Sequence, residues 1–136
     1  MILIDTGPFV ALCDRRDSHH RRSVKDLASF ARRPLATCEA VVTEVCFHLS
    51  TPAARMRLRA LLLELDVTVL GVAEDATDRD AVFDWLERYA EHTPDWADGC
   101  LAVLSARDRA NKVWTYDREF ETTWRQPDGG RIPLAR

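Results

Sequence analysis

The sequence lacks the cysteine pairs that mark a disulfide framework or a zinc site. Its four cysteines stand among apolar residues and form no CxxC pair. We therefore interpret them as buried free thiols of a protein that works in a reducing compartment. They are Cys13, Cys38, Cys46 and Cys100.

Long apolar runs and an excess of positive charge are also missing. No uninterrupted apolar stretch approaches the ~20 residues that span a bilayer, and no charged-then-apolar signal segment opens the chain. These absences predict a soluble, cytoplasmic protein. The formal net charge is -3, so bulk electrostatics does not attract nucleic acid, and any such contact depends on local basic patches.

The composition that remains is that of a globular protein, with 46% hydrophobic and 30% charged residues. A length of 136 residues predicts one domain over residues 1–136 with a substantial core. Short strand patterns alternate with amphipathic helix patterns, which favours an α/β fold with a mostly parallel sheet.

The first strand pattern, Ile2–Ile4, predicts a strand that is buried on both faces. It ends in Asp5, and we interpret Gly7 and Pro8 as breakers before a short helix over 9–13. The carboxyl ends of strands form the edge where open α/β sheets bind ligands. Taken alone, Asp5 is equally well explained as the cap of the next helix. A functional role therefore depends on other acids that reach the same edge.

Capping residues and prolines predict the starts of the later helices. The helix after Asp17 or Ser18 is expected to carry Val24, Leu27, Ala28 and Phe30 on its apolar side. A last edge strand is expected over 131–134. The remaining helix caps are predicted at Thr37, at Thr51 and at Thr93 with Pro94 in the first position.

The positions of three further acids, Glu44, Asp98 and Asp117, also require an explanation. Glu44 flanks the apolar stripe of the helix over 38–49, and Asp117 ends a strand over 113–116. Asp95 is explained by the dipole at the start of its helix, but Asp98, one turn deeper, is not. Two strands therefore end in Asp, and two helices carry acids without an evident structural reason.

Parallel strands direct their carboxyl ends to one edge, so these acids are expected to meet there. Clustered carboxylates repel one another, and the usual remedies are raised pKa values or a bound cation. Ligands that are all oxygen favour Mg²⁺ or Mn²⁺. Such a site suits phosphoryl chemistry, in which cations neutralise charge and activate a water.

Four short motifs, in their order and spacing over essentially the whole chain, resemble a PIN-domain ribonuclease of the kind found in bacterial toxin–antitoxin pairs (the VapC-like toxins of type II systems). They are Ile2-Leu3-Ile4-Asp5-Thr6-Gly7, Thr43-Glu44-Val45, Asp98-Gly99-Cys100-Leu101-Ala102 and Thr115-Tyr116-Asp117-Arg118-Glu119-Phe120. Gly99 stands where the family often has alanine.

The resemblance implies a three-layer α/β/α sandwich that cleaves single-stranded RNA with a divalent metal, Mg²⁺ or Mn²⁺. It implies that the metal is held by Asp5, Glu44, Asp98 and Asp117, with the hydroxyls of Thr6 and Thr115 nearby. It also implies a homodimer and an antitoxin peptide laid along 51–65. It suggests Asp95 as an extra acid, and it assigns no role to His20, which stands where the family often has a histidine.

Other interpretations stay open at this stage. A receiver-type signalling domain also places acids at strand ends, but it requires paired acids after the first strand and another acid at the end of the middle strand. A family member that matures RNA without an antitoxin, or a non-catalytic RNA- or protein-binding module, fits the same pattern. The cluster from His19 to Lys25 is either a solvated face or a phosphate-contacting patch. His19, His20 and His48 could also support metal-free cleavage through the 2′-hydroxyl of RNA.

Overall fold

A computed structural model describes residues 1–30 and 32–136, and its centre is a four-stranded sheet in the order β3-β2-β1-β4. Every strand pairs in parallel with its neighbours. The strands are β1 (Ile2–Ile4), β2 (Leu35–Cys38), β3 (Thr68–Leu70) and β4 (Lys112–Trp114).

Seven α-helices flank the sheet in the described residues, so the predicted α/β/α architecture is confirmed. No helix in 1–30 or 32–136 combines the length and the apolar character that a membrane span requires. The helices are α1 (Thr6–Cys13), α2 (His20–Ser29), α3 (Glu39–His48), α4 (Pro52–Glu64), α5 (Ala76–Arg88), α6 (Trp96–Ala106) and α7 (Glu119–Thr122).

The core is built around β1 and α6. All three residues of β1 are fully buried, as expected for a central strand that is covered on both faces. Helix α6 contacts β1, β2 and β4 on one side and α5 on another, and for this reason it is buried on nearly all sides. Gly99 allows the contact with α5, because a Cβ there would lie 2.9 Å from Cγ1 of Val82.

Several helix starts differ from their predicted positions. Gly7 and Pro8 do not break the chain but form the first turn of α1, where proline is tolerated because its missing N–H has no partner to lose. Thr37 lies in β2 and donates its hydroxyl to the carbonyl of Ile4 at 2.8 Å. Thr93 has a left-handed backbone with φ of 50° and ends the 3₁₀ turn Ala90–His92, so it does not cap the start of a helix. Thr51 does cap α4, as predicted, by accepting from the amide of Ala54.

The surface of α2 and the end of the chain also differ from expectation. Helix α2 begins at His20 without a side-chain cap, and Val24, expected inside, is 50% exposed. Ala28 is exposed as well. The segment 131–134 forms only isolated bridges, Val113 with Leu134 and Arg125 with Arg131, so it is not a strand.

Candidate functional site

An acidic cavity of about 410 Å³ lies beyond the carboxyl ends of β1 and β4. The four acids singled out from the sequence all line this cavity, and Asp17 and Asp95 join them. Thr6 also lines the cavity. Thr115 does not line it but donates a hydrogen bond to Asp5, which does. We refer to this space, lined by Asp5, Glu44, Asp95, Asp98 and Asp117, as the acid cavity.

Asp5 is the most buried of these carboxylates, with 7% of its surface exposed. It caps α1 by accepting from the backbone N–H of Thr6 at 2.7 Å, and its second oxygen accepts from the hydroxyl of Thr115 at 2.6 Å. Burial raises the pKa of Asp5 to about 6, and the charges of Glu44 and Asp117 add to the increase. The two hydrogen bonds act in the opposite direction, because they favour the ionised form.

Glu44 is oriented by a hydroxyl from a neighbouring helix. The Oγ1 of Thr6 donates to Oε2 of Glu44 at 2.5 Å, which is possible because α1 packs against α3. Burial raises the pKa of the Glu44 carboxyl above its usual range, and the nearby Asp95 raises it further. Thr6 therefore serves Asp5 through its amide and Glu44 through its hydroxyl.

Asp95 and Asp98 enter the cavity from the start of α6. Asp95 is the N-cap and accepts from the amide of Asp98 at 2.8 Å, and Asp98 accepts from the amide of Asp95 at 3.2 Å. This reciprocal capping box gives Asp98 a structural role that the sequence pattern did not reveal. Burial and the adjacent Asp95 raise the pKa of Asp98 to about 8.

Thr115 and Asp117 follow the end of β4. The Thr115 hydroxyl donates to Asp5 and accepts from the backbone N–H of Asp117 at 2.9 Å. Asp117 is exposed and accepts from the amide of Glu119 at 2.9 Å. One hydroxyl thus joins the segment after β1 to the segment after β4, which holds two of the acids in a fixed relation.

The chemistry of these donors fits a divalent cation such as Mg²⁺ or Mn²⁺, because carboxylate and hydroxyl oxygens are the ligands that hard cations prefer. The raised pKa values of Asp5 and Asp98 show how unfavourable the negative charge is at this edge of the sheet. Within residues 1–30 and 32–136, however, no three His, Cys, Asp or Glu side chains are already gathered so as to hold a metal ion.

Three other residues of the cavity wall were not among the predicted metal ligands, although two of them, His19 and His48, were candidates for metal-free cleavage. His48 lies on α3, one turn after Glu44, and His19 immediately precedes α2. Tyr116 stands between Thr115 and Asp117, and its ring stacks on that of His19. The position of Tyr116 between two predicted site residues was a signal in the sequence, but nothing local connects it with His19, 97 positions away.

A model of the PIN domain family matches residues 2–124 of this chain. No curated protein sequence matches it. Among solved structures, the chain is similar to VapC20 of Mycobacterium tuberculosis, described as a toxin that cleaves the sarcin–ricin loop. The TM-score is 0.76 with 21% sequence identity, and the match covers 90% of this chain and 94% of VapC20. At that identity the likeness shows a shared fold.

Proposed function

Because this chain belongs to the PIN domain family, we propose that it is a metal-dependent endoribonuclease and the toxin of a toxin–antitoxin pair. The observation that carries the proposal is the acid cavity, in which Asp5, Glu44, Asp98 and Asp117 face one space at the carboxyl edge of the sheet. The described action of VapC20 on the sarcin–ricin loop supports RNA, single-stranded or structured, as the substrate class. An RNA substrate and free thiols both fit a cytoplasmic protein.

Asp5, Glu44, Asp98 and Asp117 are the residues that would hold Mg²⁺ or Mn²⁺. When bound, such a cation neutralises phosphate charge and activates a water for in-line attack on phosphorus. Thr115 and Thr6 favour the ionised, ligating forms of Asp5 and Glu44 through hydrogen bonds of 2.6 and 2.5 Å. The leaving group is the 3′ oxygen, so the products carry 5′-phosphate and 3′-hydroxyl ends.

The test is cleavage of a labelled single-stranded RNA by the parent and by Asp98→Asn, in Mg²⁺ and in EDTA. Asn retains the shape of the carboxylate and one hydrogen-bonding oxygen but carries no charge, so we expect cleavage to disappear. Glu64→Gln is the matched control, because it removes an exposed carboxylate of α4 outside the acid cavity. Parental activity of Asp98→Asn in Mg²⁺ would refute the site assignment.

A second route is favoured by one observation, the presence of both His19 and His48 in the wall of the acid cavity. Two histidines can act as acid and base while the 2′-hydroxyl of RNA attacks phosphorus, without a metal. His20 does not join them, because its ring lines another cavity and bonds to the carbonyl of Ala11. Analysis of product ends decides between the routes, since 2′,3′-cyclic phosphates formed in EDTA would assign the chemistry to the histidines.

The partners we propose are a second copy of the chain and an antitoxin peptide bound as a helix or strand along 51–65. Of the leucines in this region, Leu58 is buried, whereas Leu63 is 72% exposed. Met56 on the same helix is 55% exposed. Exposed apolar side chains of this size favour an interface. A monomer in sedimentation at tens of micromolar would contradict the homodimer.

A further inference from the structure

Tyr116 is the centre of a stack of planar side chains at the edge of the acid cavity. The His19 ring lies against it with 4.7 Å between ring centroids and an angle of 20° between planes. The guanidinium carbon of Arg22 also lies over the Tyr116 ring, 4.7 Å from its centroid. Since one face of His19 is covered by Tyr116, the 47% of its side chain that is exposed belongs to its other face and its edge.

Hydrogen bonds hold this stack in place from two sides. The Tyr116 hydroxyl donates to Oδ2 of Asp26 at 3.0 Å, and Arg22 lies 3.6 Å from the same carboxylate. The backbone N–H of His19 donates to Oδ1 of Asp17 at 2.8 Å. The Tyr116 ring and the backbone of His19 are therefore held before any ligand arrives, and the stacking contact orients the His19 ring on them, which lowers the entropic cost of binding on it.

The charges around the stack favour an uncharged aromatic ligand over a phosphate. Arg22 is paired with Asp26, and the His19 ring lies 3.7 Å from the Asp17 carboxylate. With a carboxylate beside each of these two side chains, the attraction for an anion is weak. The flat face of the ring is unaffected by this pairing, and nucleobases stack on such faces with little regard to sequence.

We propose that His19, supported by Tyr116, is a stacking platform for a nucleobase of single-stranded RNA next to the scissile phosphate. Both rings line the acid cavity, and Tyr116 lies between Thr115 and Asp117 in the chain, so a base on the platform sets the position of the neighbouring phosphodiester. This inference rests on the proposed function for its ligand class. It assigns His19 to substrate positioning and not to proton transfer.

Binding in EDTA tests the platform independently of hydrolysis. The probe is a fluorescein-labelled single-stranded oligoadenylate of eight nucleotides, titrated with parent, His19→Ala and His19→Phe at low and moderate salt. Stacking of one base predicts an affinity loss of about 5- to 150-fold for His19→Ala. Phenylalanine keeps the flat face without a charge, so His19→Phe should bind as the parent does, with an unchanged salt dependence.

A set of oligonucleotides, each with one abasic position, locates the base. In the parent, one abasic position should weaken binding by the same factor as His19→Ala, and in His19→Ala that position should have no further effect. If His19→Ala binds like the parent, if His19→Phe is as weak as His19→Ala, or if the parent does not bind the probe, the platform is refuted. A positive result together with an enzyme that does not cleave in Mg²⁺ would refute the nuclease proposal and leave the platform standing.

Discussion

The substitution Asp5→Asn should lower the free energy of unfolding at acid pH and raise it at neutral pH. The reason is that burial makes the ionised form of the Asp5 carboxyl unfavourable in the folded state. The pKa of Asp5 is raised from 3.8 to about 6. Between these values the folded protein retains a proton that the unfolded chain has lost. The free energy of unfolding therefore falls as the pH rises through this window, and the loss is complete above pH 6.

The shift corresponds to about 3 kcal/mol, at about 1.4 kcal/mol for each pKa unit. Asn does not ionise, so the variant lacks this loss, although it weakens one of the two hydrogen bonds from Thr6 and Thr115 at a cost of about 1 kcal/mol. Asp5→Asn should therefore be slightly less stable than the parent near pH 4. It should be more stable by about 2 kcal/mol at pH 7 without metal.

Urea unfolding followed by tryptophan fluorescence, in EDTA at a series of pH values from 4 to 7.5, measures the difference. Glu64→Gln serves as the control for the loss of an exposed carboxylate. A difference between parent and Asp5→Asn that stays constant across the series would refute the argument, since it would mean that burial does not hinder ionisation of Asp5.

Three further predictions concern the same part of the molecule. Mg²⁺ should raise the melting temperature of the parent, and more at pH 8 than at pH 5.5, because protons compete with the cation for the carboxylates; equal shifts in the parent and Asp98→Asn would contradict this. Thr115→Val removes a hydrogen bond that lowers the pKa of Asp5. The free energy of unfolding in EDTA should therefore fall more steeply with rising pH in this variant than in the parent. A smaller fall would contradict this prediction. Gly99→Ala gains up to about 1 kcal/mol of helix propensity, but its Cβ would lie 2.9 Å from Val82 Cγ1, and overpacking costs about 1–3 kcal/mol. Urea unfolding should therefore show a net loss of stability of about 1 kcal/mol. A gain in stability would show that α5 moves away easily.

The positions of the strand-end acids could be predicted from the sequence because the rule behind them is topological. Neighbouring parallel strands have their carboxyl ends at a common edge of the sheet. This places Asp5 next to the segment after β4 for any conformation of the connecting loops. The start of α6 was predicted wrongly for a local reason. Thr93 and Pro94 resemble a helix start, but the reciprocal bonds of Asp95 and Asp98 satisfy two amides and determine the first turn.

Contacts between distant segments could not be predicted in the same way. The stack of His19 on Tyr116 joins the start of α2 to the chain after β4, and no local pattern reports such a pair. The exposure of Val24 has a similar origin. The periodicity of α2 placed Phe30 inside, and Phe30 is buried, but it also favoured Val24, whereas the structure buries the neighbouring Ser23. Side-chain packing between elements, and not the pattern within one, decides these cases.

The proposed ligands are also the groups that begin helices, and this explains how the fold tolerates them. Asp5 caps α1, Asp98 closes the capping box of α6, and Asp117 accepts from the amide of Glu119 at the start of α7. Backbone N–H groups at helix starts stabilise negative charge and offset part of the repulsion. Glu44 is the exception, because it lies within α3 and depends on the Thr6 hydroxyl. Substitution by Asn keeps a capping oxygen and removes the charge, whereas Ala would remove both, so the loss of cleavage in an Asn variant reports on charge and not on a broken helix start.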